Sequence, residues 1–147
     1  MNRRTFSLSL AFTALLPGSI ARAVEGAPVT VYRDPSCGCC EAWVEHMRKA
    51  GFAVEVVDES DLAGRHASLS IPAELAGCHV AVIGDFAFSG HVPAGDISAF
   101  ISYPPAGAFG LAVPGMPTGS PGMGETGEPY EVMLLARNGP PSVYARH

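Results

Sequence analysis

Apolar and polar positions fall in short blocks along residues 29–103, and each block predicts one element. Val29, Thr30, Val31 and Tyr32 are β-branched or aromatic and predict a strand. Asp34, Pro35 and Ser36 break it. A helix is expected over residues 39–50, because Trp43, Val44, Met47 and Ala50 fall on one stripe of 3.6 period. Arg48 and Lys49 suit its last turn, and Gly51 its stop. Residues 52–57 predict a second strand. A 12-residue helix between two strands points to a right-handed βαβ unit.

Residues 58–68 are polar with weak helical character. Pro72 opens a short helical turn through Ala76. Val80, Ala81, Val82 and Ile83 predict a strand, Gly84 and Asp85 a turn, and Phe86, Ala87 and Phe88 the returning strand of a hairpin. Pro93 to Asp96 leads into a helix over residues 97–103. From residue 104 to 129 there are six Pro and seven Gly in 26 residues, which predicts a loop with no regular element. Leu111, Val113, Met116 and Met123 give it apolar anchors, so it is expected to be ordered and to wrap the core. Residues 130–136 and 142–144 form a last hairpin around Asn138-Gly139, with Pro140 and Pro141 making the final strand an edge.

The fold class that follows is α/β, with a βαβ unit and a long Gly/Pro/Met-rich loop. A chain of 147 residues, 48% apolar and 16% charged, has room for one domain and one modest core. Its net charge of -5 excludes a basic nucleic-acid footprint.

The first 23 residues read as an address. Arg3-Arg4, an apolar run over residues 8–16 and the Ala21-Arg22-Ala23 pattern describe a cleavable export signal, with Val24 as the mature N-terminus. The run is about half of the ~20 residues a membrane span needs, so no span is expected in the mature protein. Arg3-Arg4 before Thr5-Phe6-Ser7-Leu8 also resembles a twin-arginine signal; an ordinary secretory signal is the alternative. The mature domain is then 24–147. Without Arg3, Arg4 and Arg22, its net charge falls to -8.

The chemistry lies in the cysteines. Cys37, Cys39 and Cys40 sit where a strand meets a helix N-terminus, and the free N–H groups there favour thiolate. Cys78 is brought near them if the chain entering the third strand passes that helix start. Three readings are open. Disulfides 37–40 and 39–78 would staple a small exported domain. A C-x-x-C pair between Cys37 and Cys40 would run thioredoxin-like redox exchange, although the thiol of Cys39 competes in every step. The favoured reading is a soft-metal site: adjacent thiolates bridge copper(I) ions, whereas structural zinc takes paired knuckles and the second pair is missing. Met116 and Met123 offer thioethers, and His79 and His91 offer imidazoles. His46 lies on the same helix side as Cys39 but about 10 Å away by helix rise, and is left out. His66 and His147 read as surface residues, Trp43 and Met47 as core.

The combination Cys37-Gly38-Cys39-Cys40-x-x-Trp43, Gly51-Phe52, Cys78-His79, Gly90-His91-Val92-Pro93-Ala94, and the run from Gly110 to Met123 closely resembles a family of small exported bacterial proteins. That family was long described as a domain of unknown function and includes the CopG-type copper-resistance proteins. The resemblance runs from about Val29 to Val143. It implies a thioredoxin-like fold, with a central mixed β-sheet and flanking helices, and copper handling in the periplasm, where members often sit beside other copper-resistance proteins. Residue by residue, it carries over Cys37, Cys39, Cys40 and Cys78 as copper-binding thiols, with His79, His91, Met116 and Met123 inside the shared motifs. One departure is Gly124, where an acidic residue commonly follows the Met. The function expected is that of a periplasmic copper(I)-binding protein holding one or several ions, with copper redox activity as an extension of that role. The alternative is a metal-free thiol-disulfide oxidoreductase.

Overall fold

The computed structural model describes residues 26–147; the expected export signal, residues 1–23, and the expected mature N-terminus at Val24 lie outside them. Seven strands form one mixed sheet in the order β2-β1-β3-β4-β5-β6-β7. They are β1 (Pro28–Arg33), β2 (Ala53–Asp58), β3 (His79–Ile83), β4 (Phe86–Ser89), β5 (Ala108–Ala112), β6 (Glu131–Ala136) and β7 (Ser142–Arg146). Helices α1 (Gly38–Lys49), α2 (Leu62–Ser68) and α3 (Ala94–Ser102) flank it, with a 3₁₀ turn at Ala73–Leu75. This is the expected thioredoxin-like α/β architecture.

β1 and β2 are parallel and joined by α1, while β3 runs antiparallel to β1 with Arg33 opposite His79. That register positions the site: the end of β1 and the start of β3 lie side by side at one end of the sheet. The Cys-rich turn leaving β1 and Cys78 leading into β3 therefore meet.

α1 forms because its stripe has a core to enter. Trp43, Val44 and Met47 are fully buried against Val29, Val31 and Phe88. Burial of that size contributes roughly 2 kcal/mol per large side chain. The Trp43 indole N–H donates to the Val92 carbonyl at 2.9 Å, so the ring enters the core with its polar atom satisfied.

One expectation fails in the Gly/Pro stretch. Residues 108–112 are not loop but β5, pairing parallel with β4 and antiparallel with β6. Averaged over 26 residues, the turn formers hide a five-residue apolar run, Ala-Phe-Gly-Leu-Ala, that the prolines flank rather than interrupt. Gly110 sits mid-strand because its missing side chain leaves room for the backbone of Ala87. The rest of the stretch is the ordered loop expected, with Ser120 fully buried. The weak helical character of residues 58–68 becomes α2, capped by the Asp61 carboxylate accepting from Gly64 N–H at 2.9 Å.

Candidate metal centre

Cys37 is the N-cap residue of α1, with its own N–H donating to the Asp34 carbonyl at 3.0 Å. Asp34 also accepts from Ser36 N–H at 2.7 Å, so the Asp-Pro-Ser break is a tight Asx turn that delivers the chain into the helix. Cys39 and Cys40 occupy the first turn. Cys40 is fully buried, whereas Cys37, Cys39 and Cys78 are half-buried.

The four sulfurs lie within 4.8 Å of one another. Cys37 and Cys40 are joined by a disulfide, and Cys39 and Cys78 are free. Of the two bridges in the disulfide reading, 37–40 is present and 39–78 is not. The Cys39 sulfur lies 3.4 Å from Cys37 and 3.9 Å from Cys78, and Cys40 lies 3.6 Å from Cys78. Two sulfurs sharing one tetrahedral metal at ~2.3 Å stand about 3.8 Å apart. The non-bonded spacings are thus those of sulfurs able to share ions, once the bridge is opened.

Two histidines close the other side. Cys78 Sγ, His79 and His91 form a second group within 4.8 Å. The His91 Nδ1–H donates to the Pro121 carbonyl at 2.6 Å, because a carbonyl can only accept. This fixes the tautomer: Nε2 carries the lone pair, and it faces Cys78 Sγ at 3.2 Å. His79 Nδ1 is 3.4 Å from the same sulfur. Its ring is fully buried against Trp43, centroids 4.4 Å apart, and its Nε2 has no partner among the described residues.

Burial governs the titration here. It pushes the Cys78 thiol up to about 12, with the neighbouring Cys39 adding to the rise. It drives His79 down to about 3, helped by His91 and His66. His91 is lowered by burial, opposed by its hydrogen bond to Pro121. The metal-free site therefore holds neutral imidazoles and a protonated Cys78, and a soft cation must displace a proton to enter. Uncharged imidazole and thiolate are donors suited to copper(I).

The loop completes the wall, and its two Met residues differ in burial. Gly122 packs on α1: a side-chain carbon there would lie 2.8 Å from Trp43 N, and its φ of +83° is itself a glycine conformation. This contact seats Pro121 over His91. Met123 is half-buried beside it, with its N–H on the Ser120 carbonyl at 3.1 Å. Met116 is 46% exposed in a left-handed turn. His46, left out from the sequence, instead accepts from Ala94 N–H through Nε2 at 3.0 Å and ties α1 to α3.

The sequence reading missed two residues. His66, expected on the surface, is 2% exposed. Leu62, His66 and Leu69 share one helical stripe, and that spacing was the available signal. Ser89 carried no signal; it is fully buried at the end of β4.

A family model described as a protein of unknown function, DUF411, matches residues 75–123, which include Cys78, His79, His91, Met116 and Met123. The chain is also similar to two solved structures described as copper resistance protein CopG, form 2 and form 1. Both are 40% identical and cover 84% of this chain; the match spans 99% and 98% of theirs, with TM-scores of 0.77 and 0.76. No curated protein matches it.

Proposed function

The chain belongs to the CopG family of copper resistance proteins, and from that premise we propose that it is a periplasmic copper(I)-binding protein whose cargo is held by Cys37, Cys39, Cys40 and Cys78. The observation that carries this reading is the convergence of four sulfurs within 4.8 Å at one helix start. Opening the Cys37–Cys40 bridge takes two electrons and two protons from a thiol reductant and frees two thiols. The site then offers four sulfurs that become thiolates as copper(I) displaces their protons, with the His91 Nε2 lone pair facing Cys78 Sγ at 3.2 Å and His79 Nδ1 beside it. Soft sulfur donors select copper(I) over the harder cations. Neighbouring sulfurs at 3.4–3.9 Å suit bridging, so more than one ion per chain is expected. Met123 and Met116 act as cover or as weak ligands. In this reading residues 1–23 are a cleaved export signal and 24–147 the mature domain, working beside other periplasmic copper-resistance proteins.

The disulfide supports a second reading, thiol-disulfide exchange through Cys37 and Cys40 on a thioredoxin-like scaffold. Anaerobic copper(I) titration of the reduced protein against a competing chelator separates the two. The copper reading expects more than one ion per chain, lost in a Cys37/Cys39/Cys40→Ser variant that stays folded. No copper uptake, with reduction of a disulfide substrate such as insulin, would establish the redox reading instead.

A further inference from the structure

Cys78 is the one cysteine of the site that no helix positions. It follows the 3₁₀ turn Ala73–Leu75 and precedes β3, so its place depends on what holds residues 75–78. That hold is a buried polar cluster behind the site. The Ser89 hydroxyl accepts from Gly77 N–H at 2.8 Å and donates to the Leu75 carbonyl at 3.0 Å. One side chain thus grips the backbone at both ends of the three residues before Cys78. The His66 Nδ1–H donates to the Leu62 carbonyl at 2.7 Å, which leaves its Nε2 an acceptor; 3.1 Å from the same hydroxyl, it shares that hydroxyl's one proton with the Leu75 carbonyl. α2 is clamped in turn, since Ile71 N–H donates to the His66 carbonyl at 3.0 Å. Ser89 and His66 are both buried, and neither touches a sulfur in these contacts.

We infer that Ser89 and His66 are positioning residues for the copper site: through the backbone of Leu75 and Gly77 they hold the Cys78 sulfur within reach of Cys39 and Cys40. The inference rests on the copper reading above and extends it to residues outside the ligand set. The physical reason is the small tolerance of the site. The Cys78 sulfur stands 3.6 and 3.9 Å from its neighbours, and sulfurs sharing an ion stand about 3.8 Å apart. A displacement of roughly 1 Å ends the sharing. Without the Ser89 hydroxyl, a buried donor and a buried acceptor two residues apart lose their partner, and the segment moves toward water to satisfy them. His66 orients the hydroxyl and fills the space behind it.

The test is a double-mutant cycle read by copper(I) affinity under anaerobic chelator competition. Ser89→Ala should remain folded by circular dichroism and weaken copper(I) binding about 10-fold, the lower range for partners that orient metal ligands. In a Cys78→Ser background the same Ser89→Ala change should have no further effect, because its role passes through Cys78. His66→Phe should behave like Ser89→Ala, and His66→Gln, which keeps a polar group facing Ser89, should retain most of the affinity. The His66 pair carries the test if Ser89→Ala does not fold. Equal losses in the Cys78 and Cys78→Ser backgrounds, or equal affinities for His66→Phe and His66→Gln, overturn the inference while leaving the copper reading intact. Wild-type protein that takes up no copper(I) overturns both.

Discussion

Replacing Cys78 by Ser removes the sulfur on which the site converges. It lies 3.9 Å from Cys39, 3.6 Å from Cys40 and 3.2 Å from His91 Nε2. A whole four-ligand site of zinc type is worth ~10–16 kcal/mol, so one ligand in four accounts for about 3 kcal/mol, or roughly 100-fold in affinity. The expected loss is therefore roughly 100-fold, with a fall in the number of ions bound. The fold should survive, because Ser is close in shape and its hydroxyl can donate to His91 Nε2. Anaerobic competition with a copper(I) chelator measures affinity, metal analysis measures the ion count, and circular dichroism checks the fold. A folded Cys78→Ser protein with wild-type affinity and ion count would refute the convergence argument.

His46 must be unprotonated at Nε2 to accept from Ala94 N–H, and burial lowers its pKa below 6.5. The stability it contributes is present above about pH 6.5 and is lost as pH falls through the lowered folded value; His46→Leu should cost ~1–2 kcal/mol at pH 8 and flatten the pH dependence of thermal unfolding below 6.5. Gly122→Ala puts a carbon 2.8 Å from Trp43 N at a φ of +83°, so it should cost ~1–3 kcal/mol in denaturant unfolding and weaken copper binding by unseating Pro121 from His91. Met116→Ala, at a 46% exposed position, should change copper(I) affinity less than 3-fold, and Met123→Ala no more than about 10-fold, as expected for cover or for weak neutral ligands. N-terminal sequencing of protein from the periplasm should read Val24, and Arg3→Lys with Arg4→Lys should block export if the twin-arginine route is used; a retained Met1 would contradict the proposed signal.

Much of the scaffold was legible because local patterns agreed with the packing they entered. Of the α1 stripe read from spacing, Trp43, Val44 and Met47 are fully buried in the core, while Ala50 is the exposed C-cap residue. The Asn138-Gly139 hairpin was read from turn chemistry. β5 was not legible, because a window rich in Gly and Pro averages away a short apolar run. Its strand state also depends on β4 and β6 lying on either side, which no local pattern records. At the site, the helix start and the C-x-C-C spacing placed three sulfurs together. The approach of Cys78 needed only the topology, since β3 pairs with β1 at the end from which α1 departs. What stayed hidden was the support behind it. His66 lay in a polar stretch, and its burial follows from Ser89, 23 residues on, offering it a partner. The Pro121 carbonyl that sets the His91 tautomer is a backbone atom and leaves no mark in residue identity.

X-ray absorption at the copper edge, on reduced protein loaded anaerobically with copper(I), tests whether sulfur from all four cysteines holds the metal at the start of α1. The expected spectrum has a copper(I) edge, a nearest shell dominated by sulfur at ~2.3 Å, and a copper–copper scattering contribution that disappears in Cys78→Ser. A nearest shell of nitrogen and oxygen alone, or a sulfur shell unchanged when Cys37, Cys39 and Cys40 are all Ser, would contradict it.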